Sequence, residues 1–197
     1  MTRLILIRHG VTKWNKEGRY CGRKDIGLSR QGRAQAKKLG RKLEAVKFDK
    51  IYSSDRKRAR ETGRIIFNGA GICSVKELME IDFGVLEGLC RGEIMKKYAD
   101  LYEKWLKDPY KNNIPEAEPI NAFKKRVERA LKRIVRLNPR KTVAVVCHGG
   151  VIGVFVNNIL KVKDFWRYIP SPASITIVEY GRGKAKLKKF NDTTHLR

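Results

Sequence analysis

The residues best suited to chemistry are two histidines, each followed by glycine and each closing an apolar run. They stand in Leu4-Ile5-Leu6-Ile7-Arg8-His9-Gly10 and in Val143-Ala144-Val145-Val146-Cys147-His148-Gly149-Gly150. The chain has three histidines, so two of the three share this setting. A neutral imidazole can attack phosphorus. Arg8 beside it offers a planar fork of donors that matches phosphoryl oxygens, which a lysine does not. A second imidazole, protonated, can stabilise the transferring oxygens. A departing alcohol also needs a proton from a carboxyl group. Glu77, Glu80, Asp82 and Glu87, threaded with Gly84 and Gly88, form an acidic pocket in a basic chain, and Glu80 and Asp82 are its leading candidates.

Other chemistries fail on spacing. A cysteine phosphatase places an arginine a fixed short distance after its nucleophile. Behind Cys21, Cys73, Cys90 and Cys147 the residues there are Gly27, Met79, Lys96 and Gly153. The sequence has no Gly-x-x-x-x-Gly-Lys phosphate loop and no Gly-x-Ser-x-Gly elbow. The run His148 to Gly153 lacks the Gly-x-Gly start of a dinucleotide turn. No cysteines pair as Cys-x-x-Cys or take zinc-ligand spacing. His9 and His148 have glycine rather than carboxylate neighbours, so a metal site is the weaker reading.

The elements that must carry these residues follow from hydrophobic pattern. An apolar run over Arg3 to Arg8 predicts a buried strand, and Thr142 to Cys147 predicts a second. In an open α/β sheet the carboxyl ends of such strands are where ligands bind. Gly10 to Leu28, rich in glycine with Trp14, Asn15, Tyr20 and Asp25, reads as a long functional loop. Ser29 caps a helix whose inward face is Ala34, Ala36, Leu39, Leu43 and Val46. Phe48 to Tyr52 is a short strand, and Ser53-Ser54-Asp55 reads as the cap of a helix over Arg56 to Phe67. Its first turn holds Arg56, Lys57 and Arg58 where the helix dipole disfavours cations, which points to a compensating anion. Ile72 to Val75 is a weak strand. Gly92 to Lys107 and Ala122 to Leu137 are helical, joined by a Pro- and Asn-rich crossover over Asp108 to Pro119. An apolar helix spans Gly150 to Leu160, and a hairpin turns around Gly181-Arg182-Gly183. The order predicts one α/β domain over 1–197: three layers, with a mostly parallel central sheet between helices.

Composition sets the remaining bounds. With 197 residues, 42% of them hydrophobic, the chain can bury a sizeable core. No apolar run is long enough to span a membrane, and with a strand beginning beside Met1 no leader is expected. A cytoplasmic protein with free cysteines is expected. The formal net charge of +25 favours anionic partners and fast capture of phosphorylated substrates. It also raises the alternative of a basic nucleic-acid binder, which would need neither both histidines nor Glu80. A homodimer stays open.

These motifs together resemble the histidine phosphatase family, also called the phosphoglycerate mutase-like family. Leu6 to Asn15 is similar to its signature, and Gly22 to Gly32 to the next block. Ser53 to Thr62 resembles the segment with a second phosphate-binding arginine, which falls on Arg58. Glu80 to Gly88 resembles the block bearing the acid, which falls on Glu80, and Cys147 to Gly150 the second-histidine block. The ending Asn191 to Leu196 is similar to a common family ending, so His195 is expected to stand outside catalysis. There are departures. Glu116-Ala117-Glu118-Pro119 stands in place of a Gly-Gly-Glu-Ser stretch, and Arg56 replaces an apolar residue.

The resemblance implies the phosphoglycerate mutase-like fold and a metal-independent hydrolysis with no organic cofactor. His9 would become phosphohistidine, and Glu80 would protonate the leaving alcohol and then activate water. Arg8, Arg58 and His148 would form the anion pocket, with Asn15, Gly22 and Gly149 binding substrate. A short chain favours a phosphatase over a mutase. The wording of Gly18 to Gly22 and Phe123 to Arg129 looks most like alpha-ribazole phosphatases of cobalamin synthesis. Phosphoserine or broad-specificity phosphatases are the rivals. A variable segment at about 90–121 is expected to cover the substrate, a small phosphorylated metabolite. Its Tyr98, Tyr102, Trp105 and Tyr110 are candidates to stack on a heterocycle, against the plainer reading of Tyr102 and Trp105 as core.

Overall fold

The computed structural model describes residues 1–69, 71–181 and 183–197. Strand β1 (Thr2–Arg8) leads to a four-residue helix α1 (Lys13–Lys16) and then α2 (Arg30–Leu43). Next come β2 (Lys50–Ser53), α3 (Lys57–Ile66) and β3 (Ile72–Ser74). Helices α4 (Arg91–Lys107) and α5 (Ile120–Leu137) precede β4 (Thr142–Cys147) and α6 (Gly149–Leu160). Strands β5 (Ile175–Gly181) and β6 (Lys184–Asp192) close the chain. The hairpin predicted there forms, but its Arg182 lies outside the described residues.

The sheet order is β3-β2-β4-β1-β5-β6. The β3-β2, β2-β4 and β4-β1 pairs are parallel, and β1-β5 and β5-β6 are antiparallel. Strand β1 is apolar without a break because both its faces are covered. Leu4 and Leu6 join a core with α5 and α6, while Ile5 and Ile7 join one with α2 and α3. That alternation makes the three layers. A satellite core of Leu86, Ile94, Tyr102, Trp105 and Ile114 gathers under α4.

Arg8 pairs with Cys147 across the β1-β4 ladder, and the His9 amide donates to the Cys147 carbonyl at 3.0 Å. The two His-Gly turns are thereby neighbours through the backbone. Three local expectations are corrected. Ala34 is exposed and Gly32 takes its inward place, because Gly32 presses on Val11 so closely that a Cβ would stand 2.1 Å from the Val11 oxygen. The Gly10–Leu28 loop contains α1, nucleated by a reciprocal Thr12–Asn15 capping box. Ser53 and Asp55 do not cap α3: Asp25 accepts from the Lys57 amide at 2.6 Å, and Asp55 instead holds Arg56.

Candidate active site

A cavity of about 410 Å³ opens at the carboxyl ends of β1 and β4. Arg8, His9, Asn15, Glu80 and Gly149 all line it. Arg58 and His148, each 0% exposed, stand directly behind its wall. Gly22 does not line the cavity; its carbonyl accepts from Arg58 Nη2 at 2.8 Å.

His9 Nδ1 faces the Gly10 carbonyl at 2.8 Å. A carbonyl can only accept, so Nδ1 carries the proton and Nε2 keeps its lone pair. Burial first, then the charges of Arg58 and Arg8, push the His9 pKa well below the ordinary histidine value. The result is a neutral imidazole with a free nitrogen.

His148 corrects the expectation of a protonated second imidazole. Its Nδ1 accepts from Arg58 Nε at 3.2 Å, which fixes its proton on Nε2, and Nε2 then donates to Ser54 Oγ at 2.9 Å. Burial and the nearby Arg58 charge hold it in the neutral form. Its ring meets that of His9 edge-on, with centroids 5.2 Å apart.

Arg58 sits in the first turn of α3, where the dipole opposes it. The compensation comes from protein oxygens: Nη1 donates to Lys24 O at 3.0 Å, and Nη2 to Cys21 O at 3.2 Å as well as to Gly22 O. Of the five guanidinium N–H groups one Nη1–H remains uncommitted. Arg8 is held by one bond from Nη1 to the Pro170 carbonyl, and its buried Nε has no partner, so most of its fork remains available to an anion. Gly149 admits this closeness, since a Cβ there would lie 3.1 Å from Arg8 Cζ.

Of the acidic pocket, only Glu80 lines the cavity. Its Oε2 accepts from the Gly150 amide at 2.9 Å and its Oε1 from the Ile81 amide at 3.0 Å. Glu77 is exposed, Asp82 caps the Gly84 amide, and Glu87 accepts from the Gly22, Arg23 and Phe83 amides. Glu118 grips Arg126 of α5 at 2.6 and 2.7 Å and makes no wall of the cavity. Asn15 spends its amide oxygen on Thr12, at 3.0 and 3.1 Å, which leaves its Nδ2 as a donor. His195 lies outside the cavity, its Nε2 on the Ala173 carbonyl. Among the described residues no three His, Cys, Asp or Glu side chains cluster as metal ligands. No helix there is long and apolar enough to cross a membrane.

Of the outer wall the sequence singled out Tyr20 alone, in the loop over Gly10 to Leu28. The wall consists of Arg19, Tyr20, Cys21, Ile81, Phe83, Phe165, Trp166 and Ile169, from three separate segments. None of Tyr98, Tyr102, Trp105 and Tyr110 lines it. Tyr102 and Trp105 are core at 5% and 3% exposure, and they back the wall by packing on Tyr20 and Trp166. Arg19 is neutralised by Glu17 at 2.8 Å and Glu93 at 2.6 Å.

Comparison with known proteins places the chain in a family and matches its fold. The family profile described as "Histidine phosphatase superfamily (branch 1)" matches residues 4–193. Phosphoserine phosphatase 1 of Hydrogenobacter thermophilus is 32% identical over 200 residues, covering 100% of this chain and 95% of that one. The adenosylcobalamin/alpha-ribazole phosphatase of Salmonella typhimurium is 30% identical over 194 residues, covering 96% of each. Among solved structures, Bacillus stearothermophilus YhfR superposes with a TM-score of 0.94 at 31% identity over 100% of both chains.

Proposed function

This chain belongs to the histidine phosphatase superfamily, branch 1, and is a phosphatase; from that premise we propose that it hydrolyses a small phosphomonoester in the cytoplasm through a phosphohistidine on His9. The observation that carries the reading is the tautomer of His9, which leaves Nε2 unprotonated on a ring that lines the cavity together with Arg8. Nε2 attacks phosphorus, the bond from phosphorus to the alcohol oxygen breaks, and Glu80 gives that oxygen its proton. Glu80 then takes a proton from water as the water oxygen attacks the phosphohistidine, which releases phosphate and restores His9. Arg8 holds the phosphoryl oxygens with its open fork, Arg58 adds its remaining N–H, and His148 keeps Arg58 oriented. Asn15 Nδ2 and the Gly149 turn complete the rim. None of these steps calls on a metal.

The wall around the leaving group favours an uncharged, flat alcohol. Tyr20, Phe83, Phe165 and Trp166 supply aromatic faces, and Arg19 is already balanced by two carboxylates. A substrate carboxylate gains little from a cation so compensated. We therefore assign alpha-ribazole 5′-phosphate ahead of phosphoserine and 3-phosphoglycerate. The test is phosphate release with a chelator present from these three and from p-nitrophenyl phosphate. Preference for alpha-ribazole phosphate supports the assignment, and preference for phosphoserine overturns it. Isomerisation of 3-phosphoglycerate without release would make the enzyme a mutase. His9→Ala should lose turnover while remaining folded; appreciable hydrolysis by that variant would remove His9 as nucleophile.

A further inference from the structure

Glu87 is a half-buried acid that the reaction above does not use. Its Oε1 accepts three backbone N–H groups: Gly22 at 2.9 Å, Arg23 at 2.7 Å and Phe83 at 3.3 Å. Its Oε2 is buried with no partner. The carboxylate therefore joins two segments, the turn at 22–23 and the turn at 83, at one oxygen. The fit leaves no slack. A Cβ on Gly22 would stand 1.9 Å from the Ile81 carbonyl and 2.3 Å from Glu87 Oε1.

The segment Glu87 holds is the one that holds Arg58. Cys21, Gly22 and Lys24 turn their carbonyls on the two Nη atoms, while their neighbouring amides, Gly22 and Arg23, point to Glu87. The same peptides thus accept from a cation on one side and donate to an anion on the other. This polarises them in the sense that suits both charges. The thiol of Cys21 lies within the field of both Arg58 and Glu87. Arg58 needs this support. It is fully buried, it opposes the α3 dipole, and it has one N–H left for a phosphoryl oxygen. A small rotation of the fork takes that N–H away from its target.

We propose that Glu87 is a positioning residue for phosphoryl transfer, acting through the 21–24 turn to hold the Arg58 guanidinium on the phosphoryl group. This rests on the phosphohistidine reading of the same site. It makes Glu87 an acceptor rather than a proton donor to the leaving group.

The experiment is a double-mutant cycle between Glu87 and Arg58, read as kcat/KM for p-nitrophenyl phosphate and as the inhibition constant of inorganic phosphate, with thermal melting as the control on folding. Glu87→Ala should lower kcat/KM about 100-fold, the scale of a misplaced contact group, and weaken phosphate inhibition. Glu87→Gln keeps the accepting oxygen and should recover most of both. In an Arg58→Ala background, adding Glu87→Ala should cost little more, since its target is gone. Where Glu87→Ala does not fold, Glu87→Asp, whose carboxylate is one methylene short of the amides, takes its place in the cycle. Equal losses from Glu87→Ala with and without Arg58 would overturn the proposal. So would a Glu87→Gln variant as inactive as Glu87→Ala, which would make Glu87 the acid. A wild-type chain that is active while Glu87 fails these tests removes this inference alone; a wild-type chain inert toward every phosphomonoester removes both.

Discussion

At the scale of single residues the site depends on where protons sit. The Gly10 carbonyl places the proton of His9 on Nδ1, and burial with two arginines keeps the ring neutral. The pKa is depressed in the fold, so the unfolded chain binds protons between the ordinary histidine value of about 6.5 and the lower folded value, where the native state does not. Stability of the ligand-free protein is therefore complete above that ordinary value and falls with pH through the window below it. His148 adds in the same sense. The His9 imidazole, proposed above as the nucleophile, by contrast stays neutral with Nε2 free through that window. The acid limb of kcat/KM should lie below pH 6.5, and an acid limb above it would mean that His9 must lose a proton before it reacts. Arg8, His9 and His148 were legible in the sequence because each belongs to a short pattern at the end of a strand. Glu80 stood beside Asp82 as a candidate on residue type alone, and the resemblance singled it out; the role of Arg58 came from the resemblance. The cage of carbonyls around Arg58 and the aromatic wall beyond Tyr20 were not legible, because they are made where 19–24, 80–87 and 165–169 converge, and nothing local marks that meeting.

At the scale of elements, close backbone contact holds the loop after β1 against α2. Gly10 and Gly32 face each other, and a Cβ on Gly10 would meet the Gly32 carbonyl at 2.6 Å. Val11 also accepts from the amide and hydroxyl of Ser29, the cap of α2. Gly32→Ala pits two effects against each other. Alanine in a helix gains about 1 kcal/mol over glycine. Here its methyl would stand 2.1 Å from a backbone oxygen that the Ser29 cap already fixes, and overpacking of that kind costs about 1–3 kcal/mol. The net expectation is a lower melting temperature together with reduced turnover, since relief of the clash displaces the segment next to His9; an unchanged melting temperature would show that the loop yields freely. Helical pattern had put Ala34 inward, because apolar type is visible in sequence and a glycine chosen for proximity is not. The end of α5 and both bounds of β4 were legible from hydrophobic pattern, while α5 begins at Ile120, two residues before the expected Ala122. Arg56, which departs from the family pattern, pairs with Asp55 and donates to the Arg23 carbonyl at 3.1 Å, so it adds a further tie to the turn that holds Arg58.

At the scale of the whole molecule, the three-layer form followed from alternating β and α signals, and the strand order did not, since crossover lengths fit more than one order. The chain carries a net charge of +25, and the substrate proposed above is an anion. Long-range attraction acts on encounter and is screened by salt. Raising ionic strength should lower kcat/KM several-fold for a dianionic substrate and leave kcat nearly unchanged; an equal fall in both would place the salt effect on the chemical step. Strands β1 and β4, which carry the two histidines, occupy the middle of the sheet. Edge strands β3 and β6 can fray, and α1 can open, without parting the pair. Amide protons of the central ladder should exchange with solvent only when the entire domain opens, the core strands being where protection is highest. The two His-Gly turns are thus mounted on the part of the molecule expected to come undone last, and a population in which the pair has parted by unfolding has lost its architecture as well.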